Sequence, residues 1–245
     1  MNPLEARWRE LGLWPRWQTS HHALEGTELS GTPPGILPAN PPPASMTDAM
    51  GWTLLREHVA NCQRCSLHQG RRQAVFGVGG EQARWMFVGE APGAEEDQRG
   101  EPFVGAAGLL LDQMLRSLGL KRGEDVYIAN VVKCRPPQNR TPTDDECASC
   151  LPYLTRQIAM IQPAVIVAMG RVAAHALLKT DGTLGALRLQ QHQFGDIPLV
   201  VTWHPAYLLR TPADKAKAWE DLCRARRLMV SRCTPHDGND GTTAA

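Results

Sequence analysis

Four short apolar runs, separated by stretches with helical periodicity, constrain the fold of this chain more than any other feature. The runs are residues 85–88, 126–129, 164–169 and 199–203. Three of them are rich in Val and Ile, and none alternates cleanly with polar residues, which is typical of strands buried on both faces. Strands that alternate with helices predict an α/β fold, namely a three-layer α/β/α sandwich around a central, mainly parallel four-stranded sheet.

Each apolar run ends in residues that suit a ligand site. The first leads into Gly89-Glu90-Ala91-Pro92-Gly93, the second into Asn130, the third into Gly170-Arg171 and the fourth into His204-Pro205. Because the carboxyl ends of parallel strands meet at one edge of a sheet, these groups are expected to converge on one crevice. Taken alone, the Gly-rich turn is more often an ordinary strand-to-helix connection. Four strands that end in this manner predict a site.

Composition and charge favour a soluble protein of the cytoplasm. The 245 residues carry 26 Lys and Arg against 25 Asp and Glu, so a nucleic-acid site would have to be a local basic patch. The first residues include acids and no apolar segment, which argues against a secretory signal. No run approaches the roughly 18 apolar residues of a membrane-spanning helix, so no membrane partner is expected. In the cytoplasm, cysteines are expected to be reduced or metal-bound.

The chain is predicted to hold one folded domain between two peripheral segments. Residues 1–17 place Leu and Trp side chains near one face and are predicted to form a short N-terminal helix. Residues 18–45 are rich in proline and poor in large apolar groups, which predicts a flexible linker. The domain is predicted to span residues 46–230, with Thr47 as the N-cap of its first helix. Residues 231–245 are predicted to form a disordered tail.

The cysteines are spaced for a metal site. Cys62 and Cys65 have the two-residue separation that lets both thiolates reach one metal, and Cys134 and Cys150 flank a loop further along the chain. Cys147 lies one helical turn before Cys150 and is its rival as a ligand. Four thiolates bind either zinc or an iron–sulfur cluster, and their spacing does not choose between the two.

Several of these segments together resemble one known family, the family 4 uracil-DNA glycosylases. The matching segments are GEAPGAEEDQRGEPFVGAAGLLLDQML, NVVKCRPPQNRTP, CLPYL and HPAYLLR, which follow the family's order within residues 62–227. The resemblance implies the same three-layer fold, a [4Fe–4S] cluster, and hydrolysis of the N-glycosidic bond of uracil in DNA to leave an abasic site. It maps the cluster ligands onto Cys62, Cys65, Cys134 and Cys150, because the last ligand precedes the Pro-Tyr-Leu run.

The resemblance also implies roles for three side chains that contact the base. Uracil in a duplex must be flipped into a pocket before its edge can be read there. His204 would donate to uracil O2 as charge develops on the departing base. Asn130 would pair with the O4 and N3–H edge, and Phe103 would stack on the ring. Without the family, His204 is typical of a satisfied histidine at a strand end, and Phe103 is equally typical of a core aromatic.

Other residues are implied to contact the sugar, the phosphates or the duplex. Leu208 falls where related glycosylases push an apolar wedge into the duplex, and Arg210 is placed to touch phosphate. The segment around Leu208 could alternatively open a helix, and residues 138–140 suit either DNA contact or a solvated loop. The pocket wall near the sugar and phosphate is implied to consist of Gly89, Ala91, Pro92 and Gly93.

The sequence departs from the family 1 glycosylases at the residue that positions the attacking water. Family 1 has an aspartate where this chain, like family 4, has Ala91, and the family 1 tyrosine that blocks thymine corresponds to Gly93. Among the acids that remain nearby, Glu90 is nearest to the strand end and is assigned the catalytic role. A related subgroup that traps uracil covalently uses a histidine, and none lies between Cys134 and Cys150. Hydrolysis is therefore favoured.

The predicted partner is uracil-containing DNA, single- or double-stranded, and the protein is predicted to be a monomer. Two other functions stay open at this point. One is a metal-stapled nucleic-acid-binding module without glycosylase activity, whose affinity would not depend on Asn130 or His204. The other is a zinc-stapled hydrolase of the same general fold, which would act on free nucleotides.

Overall fold

The computed structural model describes residues 47–233, and its centre is a six-stranded sheet. The four central strands lie in the order β3-β2-β4-β6 and are all parallel, whereas β1 beside β3 and β5 beside β6 are antiparallel edges. The predicted parallel four-stranded sheet is confirmed, with two short strands added at its edges. The strands are β1 (Val78–Gly79), β2 (Trp85–Gly89), β3 (Val126–Asn130), β4 (Val165–Met169), β5 (His192–Phe194) and β6 (Ile197–Thr202).

Helices cover both faces of this sheet. Three short 3₁₀ turns, at Ser66–Gln69, Pro137–Asn139 and Pro212–Asp214, join some of them to neighbouring elements. The α-helices of the described part are α1 (Trp52–Ala60), α2 (Ala94–Arg99), α3 (Ala106–Ser117), α4 (Asp144–Ile161), α5 (Arg171–Leu178), α6 (Leu184–Arg188), α7 (Pro205–Arg210) and α8 (Lys215–Cys233).

Side chains alternate between two apolar cores along each central strand. In β2, Met86 and Val88 join one core, and Trp85 and Phe87 join the other. All residues of β2, β3 and β4 are buried, because a helical layer lies on each side of them. The predicted three-layer α/β/α sandwich is therefore confirmed. Helical contributors are Leu55, Leu154 and Ala173 in the first core, and Leu115, Leu222 and Ala225 in the second.

The predicted N-cap role of Thr47 is wrong. Helix α1 begins at Trp52 with Gly51 as its N-cap, and a turn precedes it, closed by a hydrogen bond from the Met50 N–H to the Thr47 carbonyl (3.0 Å). Thr47 is buried, and its hydroxyl donates to the Pro152 carbonyl at 3.3 Å. The hydroxyl is used for a tertiary contact with α4 instead of a helix cap.

The C-terminal boundary also differs from the prediction. Helix α8 continues to Cys233, past the predicted domain end at Val230, so residues 231–233 belong to the terminal helix and not to a tail. The predictions for residues 1–17, 18–45 and 234–245 lie outside the described residues. Within residues 47–233, no helix combines the length and apolarity that crossing a membrane requires.

The start of α4 is specified locally and positions the loop before it. The Thr143 hydroxyl accepts from the Glu146 N–H (3.3 Å), and Glu146 Oε2 accepts from the Thr143 N–H (2.8 Å), which is a reciprocal capping box. Glu146 also binds the Arg140 guanidinium through two hydrogen bonds of 2.7 and 2.8 Å. The loop before α4 is thereby held against the helix that carries Cys150.

Candidate active site and cysteine cavity

The groups at the carboxyl ends of the parallel strands converge on one cleft of about 640 Å³, as the sequence predicted. Strand β2 contributes residues 90–93, β3 contributes Asn130, β4 contributes residues 170–171, and β6 contributes residues 203–204. Phe103 reaches the cleft from the loop between α2 and α3. The predicted wall residues Ala91, Pro92 and Gly93 line the same cleft.

Gly89, the last residue of β2, allows two of these side chains to approach the strand closely. A Cβ at this position would lie 2.5 Å from Asn130 Oδ1 and 2.5 Å from Phe103 Cζ. Both distances are far below van der Waals contact, so a larger residue would displace the amide, the ring or both. The close packing of Asn130 and Phe103 therefore requires glycine at position 89.

Phe103 is positioned by its backbone as well as by its ring. Its φ of 56° lies in the left-handed region, which is strained for an aromatic residue. The Arg122 guanidinium donates to the carbonyls of Pro102 and Phe103, both at 2.8 Å. The same guanidinium is held by Asp112 at 3.0 Å. The ring is buried, with its centroid 5.5 Å from that of His204, so a base in the cleft would meet an aromatic ring already in place.

Asn130 presents a buried amide with an unused acceptor. The residue is 2 % exposed, and its Oδ1 has no hydrogen-bond partner among the described residues. A buried unpaired acceptor costs about 1–3 kcal/mol, so such an atom needs an explanation in a folded protein. Because Asn130 lines the cleft, a ligand N–H can supply the missing hydrogen bond. The N3–H of uracil is a donor of this kind.

His204 is held as a neutral hydrogen-bond donor. It caps α7, since its Nδ1 accepts a hydrogen bond from the Ala206 N–H at 3.2 Å. A ring nitrogen that accepts carries no proton, so the proton of the neutral ring lies on Nε2. Burial, with a smaller contribution from the charge of Arg210, lowers the pKa of His204 to about 4. At neutral pH the ring therefore offers an N–H without a positive charge.

Two of the acids that follow the Gly-rich turn hold the backbone of the site. Glu96 accepts hydrogen bonds from the N–H groups of Gly93, Val104 and Gly105 at 2.9–3.1 Å. Those bonds fasten the loop after Phe103 to the turn after β2. Asp97 is buried and accepts from a backbone N–H of the segment before β1 at 2.9 Å. Both carboxylates are thus engaged by backbone N–H groups.

Glu90 differs from Glu96 and Asp97 in its position and in its contacts. It lines the cleft directly after β2, and burial raises the pKa of its carboxyl group. The charge of Arg171 and a hydrogen bond with Thr141 oppose that rise. A half-buried carboxylate that lines the cleft is a candidate general base. The structure thus places Glu90 where the predicted role requires it, and the role itself stays a prediction.

The structure contradicts the predicted wedge role of Leu208. This residue lies on α7 with 1 % of its surface exposed, and its side chain lines a small apolar cavity with Leu110 and Met114 of α3. A side chain buried against α3 cannot enter a duplex in this conformation. The alternative reading, in which this segment opens a helix, is the one observed. The neighbouring Leu209 is 44 % exposed, so it is better placed than Leu208 to contact a duplex.

Three arginines give the cleft a basic rim, which consists of Arg140, Arg171 and Arg210. Arg140 is anchored by Glu146, Arg171 is the first residue of α5, and Arg210 is exposed at the end of α7. Since the chain as a whole is nearly neutral, this rim is the kind of local patch that binding to phosphate needs. Arg210 is therefore located where its predicted phosphate contact requires.

The four cysteines assigned by resemblance surround one cavity. Cys62 and Cys65 follow α1, Cys134 follows β3, and Cys150 lies on α4. Cys147 is not among the residues that line the cavity. Burial and nearby acidic side chains raise its pKa to about 11. The structure therefore brings together the four implied ligands and separates Cys147 from them.

The chemistry of this cavity fits a [4Fe–4S] cluster. Burial raises the pKa of Cys150 to about 12 and also raises that of Cys134, so a bound metal would have to replace these protons. Arg71 Nη1 donates to Cys134 Sγ at 2.8 Å, and the Lys133 N–H donates to Cys150 Sγ at 3.2 Å. Hydrogen bonds to sulfur are typical of iron–sulfur sites. Across residues 47–233, no three His, Cys, Asp or Glu side chains lie close enough together to hold a single metal ion. A four-iron cluster is larger than one ion, so its four thiolate ligands lie further apart.

Some residues of the cleft were not anticipated from the sequence. Trp203 and Tyr207 line it and stack with their ring centroids 4.7 Å apart, and Arg188 covers Trp203 at 5.4 Å. Trp203 directly precedes the N-cap of α7 and Tyr207 lies in its first turn, so the pair forms where the chain passes from β6 into α7. The backbone role of Glu96 did have a signal, since a glutamate three residues after Gly93 has capping-box spacing.

Comparison with known proteins agrees with this geometry. Residues 76–223 match the family described as the Uracil DNA glycosylase superfamily. The Type-4 uracil-DNA glycosylase of Pyrobaculum aerophilum is 47 % identical over 176 residues, which cover 69 % of this chain and 89 % of that protein. The enzyme of the same name from Archaeoglobus fulgidus is 46 % identical over 65 % of this chain and 83 % of its own length. That from Thermotoga maritima is 44 % identical over 72 % and 93 %, respectively.

The superfamily match includes all four parallel strands and every strand-end residue of the cleft. The similarity to the three relatives extends over most of their lengths, so it concerns the whole fold and not an isolated motif. This chain belongs to the uracil DNA glycosylase superfamily.

Proposed function

We propose that this protein is an iron–sulfur uracil-DNA glycosylase, which flips uracil out of DNA and hydrolyses its N-glycosidic bond to leave an abasic site. The observation that carries the proposal is the buried, unpartnered Oδ1 of Asn130 in a cleft shared with the neutral N–H donor of His204 and the ring of Phe103. These groups correspond to an acceptor for N3–H, a donor for O2 and an aromatic contact for the ring. Superfamily membership and the Type-4 relatives support the same function.

The chemistry requires a means of stabilising the departing uracil. The bond between N1 and the sugar C1′ breaks with its electron pair going to uracil, and the negative charge spreads onto O2. Water supplies the oxygen that binds C1′ and loses a proton. A neutral His204 Nε2–H interacts weakly with the intact base and more strongly with the anion, so it lowers the barrier more than it tightens binding. Glu90 is the acid placed to orient the water or accept its proton.

Selectivity against cytosine follows from the amide of Asn130. The N3 of cytosine is an acceptor, so it would face the Asn130 Oδ1 with no hydrogen between the two atoms. The exocyclic N4 group of cytosine is a donor and would likewise meet the donor side of the amide. A wrong base that leaves buried polar groups of the site unpaired is rejected by large factors, as is general for enzymes that read one hydrogen-bonding edge. Uracil satisfies both halves of the amide.

The proposal places a [4Fe–4S] cluster on Cys62, Cys65, Cys134 and Cys150. When bound, it would link α1, the segment after β3 and α4 through four thiolate bonds. We expect anaerobically purified protein to be brown and to hold about four irons per chain. Exchange of Cys150 for serine should remove the colour, whereas the same exchange at Cys147 should leave it. A colourless protein with stoichiometric zinc would contradict this assignment.

DNA is the proposed polymer substrate, in single- or double-stranded form. The basic rim of Arg140, Arg171 and Arg210 supports this, because it borders the cleft where the phosphates beside a flipped nucleotide would lie. We propose that the protein acts as a monomer, since one chain supplies every residue of the cleft described above.

The test incubates the purified protein with an oligonucleotide that carries one uracil, followed by alkali to cleave abasic sites. We expect strand cleavage at the uracil, release of free uracil, and no cleavage when thymine or cytosine occupies the same position. Binding to the oligonucleotide without release of uracil would favour the nucleic-acid-binding module. Release of uracil from free nucleotides but not from DNA would favour the nucleotide hydrolase.

A further inference from the structure

Lys133 is a buried ammonium group that lies between the cleft and the cysteine cavity. Its side chain is among the largest that are fully buried, with 1 % of the residue exposed. In sequence it stands three residues after Asn130 and directly before Cys134. A buried charge of this kind is retained only when hydrogen bonds and an opposite charge compensate its loss of water.

The ammonium donates two hydrogen bonds, one of them to the residue that carries the cleft amide. Lys133 Nζ donates to the backbone carbonyl of Asn130 at 2.9 Å and to Gln157 Oε1 at 2.7 Å. The Gln157 amide is itself fixed, because its Nε2 donates to the Phe76 carbonyl (2.9 Å) and the Tyr127 hydroxyl (3.0 Å). The ammonium is thus anchored on α4 and holds the backbone of the residue whose amide has the unused acceptor.

Its compensating charge comes from the cysteine cavity. Both acceptors of Nζ are neutral carbonyl oxygens, so neither supplies a negative charge. A cluster on the four cysteines would require thiolates, and two of these ligands lie beside Lys133: Cys134 follows it in the sequence, and Cys150 contacts its backbone. The backbone N–H of Lys133 also donates to Cys150 Sγ at 3.2 Å, and the residue lines the cavity. The lysine therefore contacts one implied ligand through its backbone and directly precedes another.

We propose that Lys133 is a positioning residue that couples the cluster site to uracil recognition: the thiolates keep its ammonium in place, and the ammonium keeps Asn130 oriented. This inference rests on the proposed glycosylase function. Loss of the cluster charge would leave the ammonium uncompensated and release the Asn130 carbonyl. Loss of the ammonium would leave the thiolates without a neighbouring positive charge and the Asn130 backbone without its anchor.

The experiment compares full-length Lys133→Met with wild type and with Lys121→Met. Methionine keeps the length and burial of the lysine while removing the charge and the donors. Lys121 is a suitable control because its side chain is 74 % exposed and its ion pair with Glu124 lies on the surface. Two quantities are measured on anaerobically purified protein. The first is the affinity ratio, which is the affinity for an oligonucleotide that carries an uncleavable deoxyuridine analogue divided by the affinity for the same oligonucleotide with cytosine at that position. The second is the rate at which iron is released to a chelator.

For Lys133→Met we expect the affinity ratio to fall about tenfold and iron release to accelerate by a similar factor, the usual scale for removing a supporting contact of a metal site. Affinity for DNA without uracil should not change. Lys121→Met should match wild type in both measurements. A folded, iron-loaded Lys133→Met protein with the wild-type affinity ratio would overturn the proposal, and so would unchanged iron release.

A second variant keeps the proposal testable if Lys133→Met does not fold. Gln157→Leu retains the ammonium but removes its anchor on α4. It should keep the full iron content and lower the affinity ratio in the same direction by a smaller factor, and an unchanged ratio would refute the positioning role. If wild-type protein itself shows no preference for the uracil analogue, the proposed function fails, whereas the iron-release comparison still tests the link between Lys133 and the thiolates.

Discussion

Replacing His204 by alanine tests the catalytic assignment most directly, because the ring makes two separable contributions. Its Nε2–H is the proposed donor to the departing base, and removing one such donor to a developing oxyanion lowers rates by roughly 10²–10³. Its Nδ1 caps α7 through the Ala206 N–H, and losing a cap costs about 1 kcal/mol of stability. We therefore expect His204→Ala to cut the single-turnover rate by 10²–10³ and also to lower the melting temperature.

A matched variant separates the two contributions. Asparagine is among the best N-cap residues, so His204→Asn should restore most of the lost stability. Its shorter side chain does not place a donor where Nε2–H stood, so the rate should remain as low as in His204→Ala. Recovery of the rate together with the stability would show that the cap, and not the donor, accounts for the effect.

The pH dependence gives an independent check on the neutral state of His204. The pKa of this histidine drops from 6.5 to about 4 on folding, so the unfolded chain binds more protons between these values. Its contribution to stability is therefore fully present above pH 6.5 and is lost as the pH falls towards 4. His204→Ala should lose less stability over this range than wild type. A rate inflection near pH 6.5 that disappears in His204→Ala would refute the neutral assignment.

The assay pairs single-turnover cleavage of a uracil oligonucleotide, with enzyme in excess, with affinity for an uncleavable uracil analogue. If His204 stabilises the anion, the rate falls while the affinity changes little, because the intact base carries little charge on O2. The reasoning is refuted if His204→Ala keeps its full rate, or if affinity falls in proportion to rate. HPAYLLR would then be a DNA-contacting segment and not a catalytic loop.

Three further predictions concern the pocket and the chain termini. Gly89→Ala should displace Phe103 and Asn130 and lower uracil release at least tenfold at a stability cost of about 1–3 kcal/mol. Gly185→Ala, at an exposed position of α6 where a Cβ meets no atom within 4 Å, should cause no such loss in the same cleavage and melting assays. Asn130→Asp should lose both rate and preference for uracil over cytosine, because a carboxylate cannot donate to O4 and repels the charge growing on the base; selective loss of rate alone would contradict this. A chain that begins at Met46 should fold and keep its cleavage activity, and an insoluble or inactive product would show that the N-terminal segment belongs to the domain.

The sequence alone was sufficient for the parallel core and for much of the cleft. A strand buried on both faces must be apolar throughout, so the runs that became β2, β3, β4 and β6 are visible without any tertiary information. Parallel strands also bring their carboxyl ends to one edge, which is why Asn130 and His204 could be predicted to meet although they lie far apart in the sequence.

Tertiary structure alone decided the features that depend on which surface an element covers. The edge strands β1 and β5 are too short to leave a periodic pattern, and they form because a partner strand offers hydrogen bonds. Leu208 sits on a short helix whose position against α3 determines that it is buried and that Leu209 is exposed. Lys133 looks like an ordinary charged residue in the sequence, and only the packing of β3 against α4 makes it a buried ammonium between two sites. Local patterns record which residues are apolar, whereas the contacts of a polar residue are set by neighbours that lie far away in the chain.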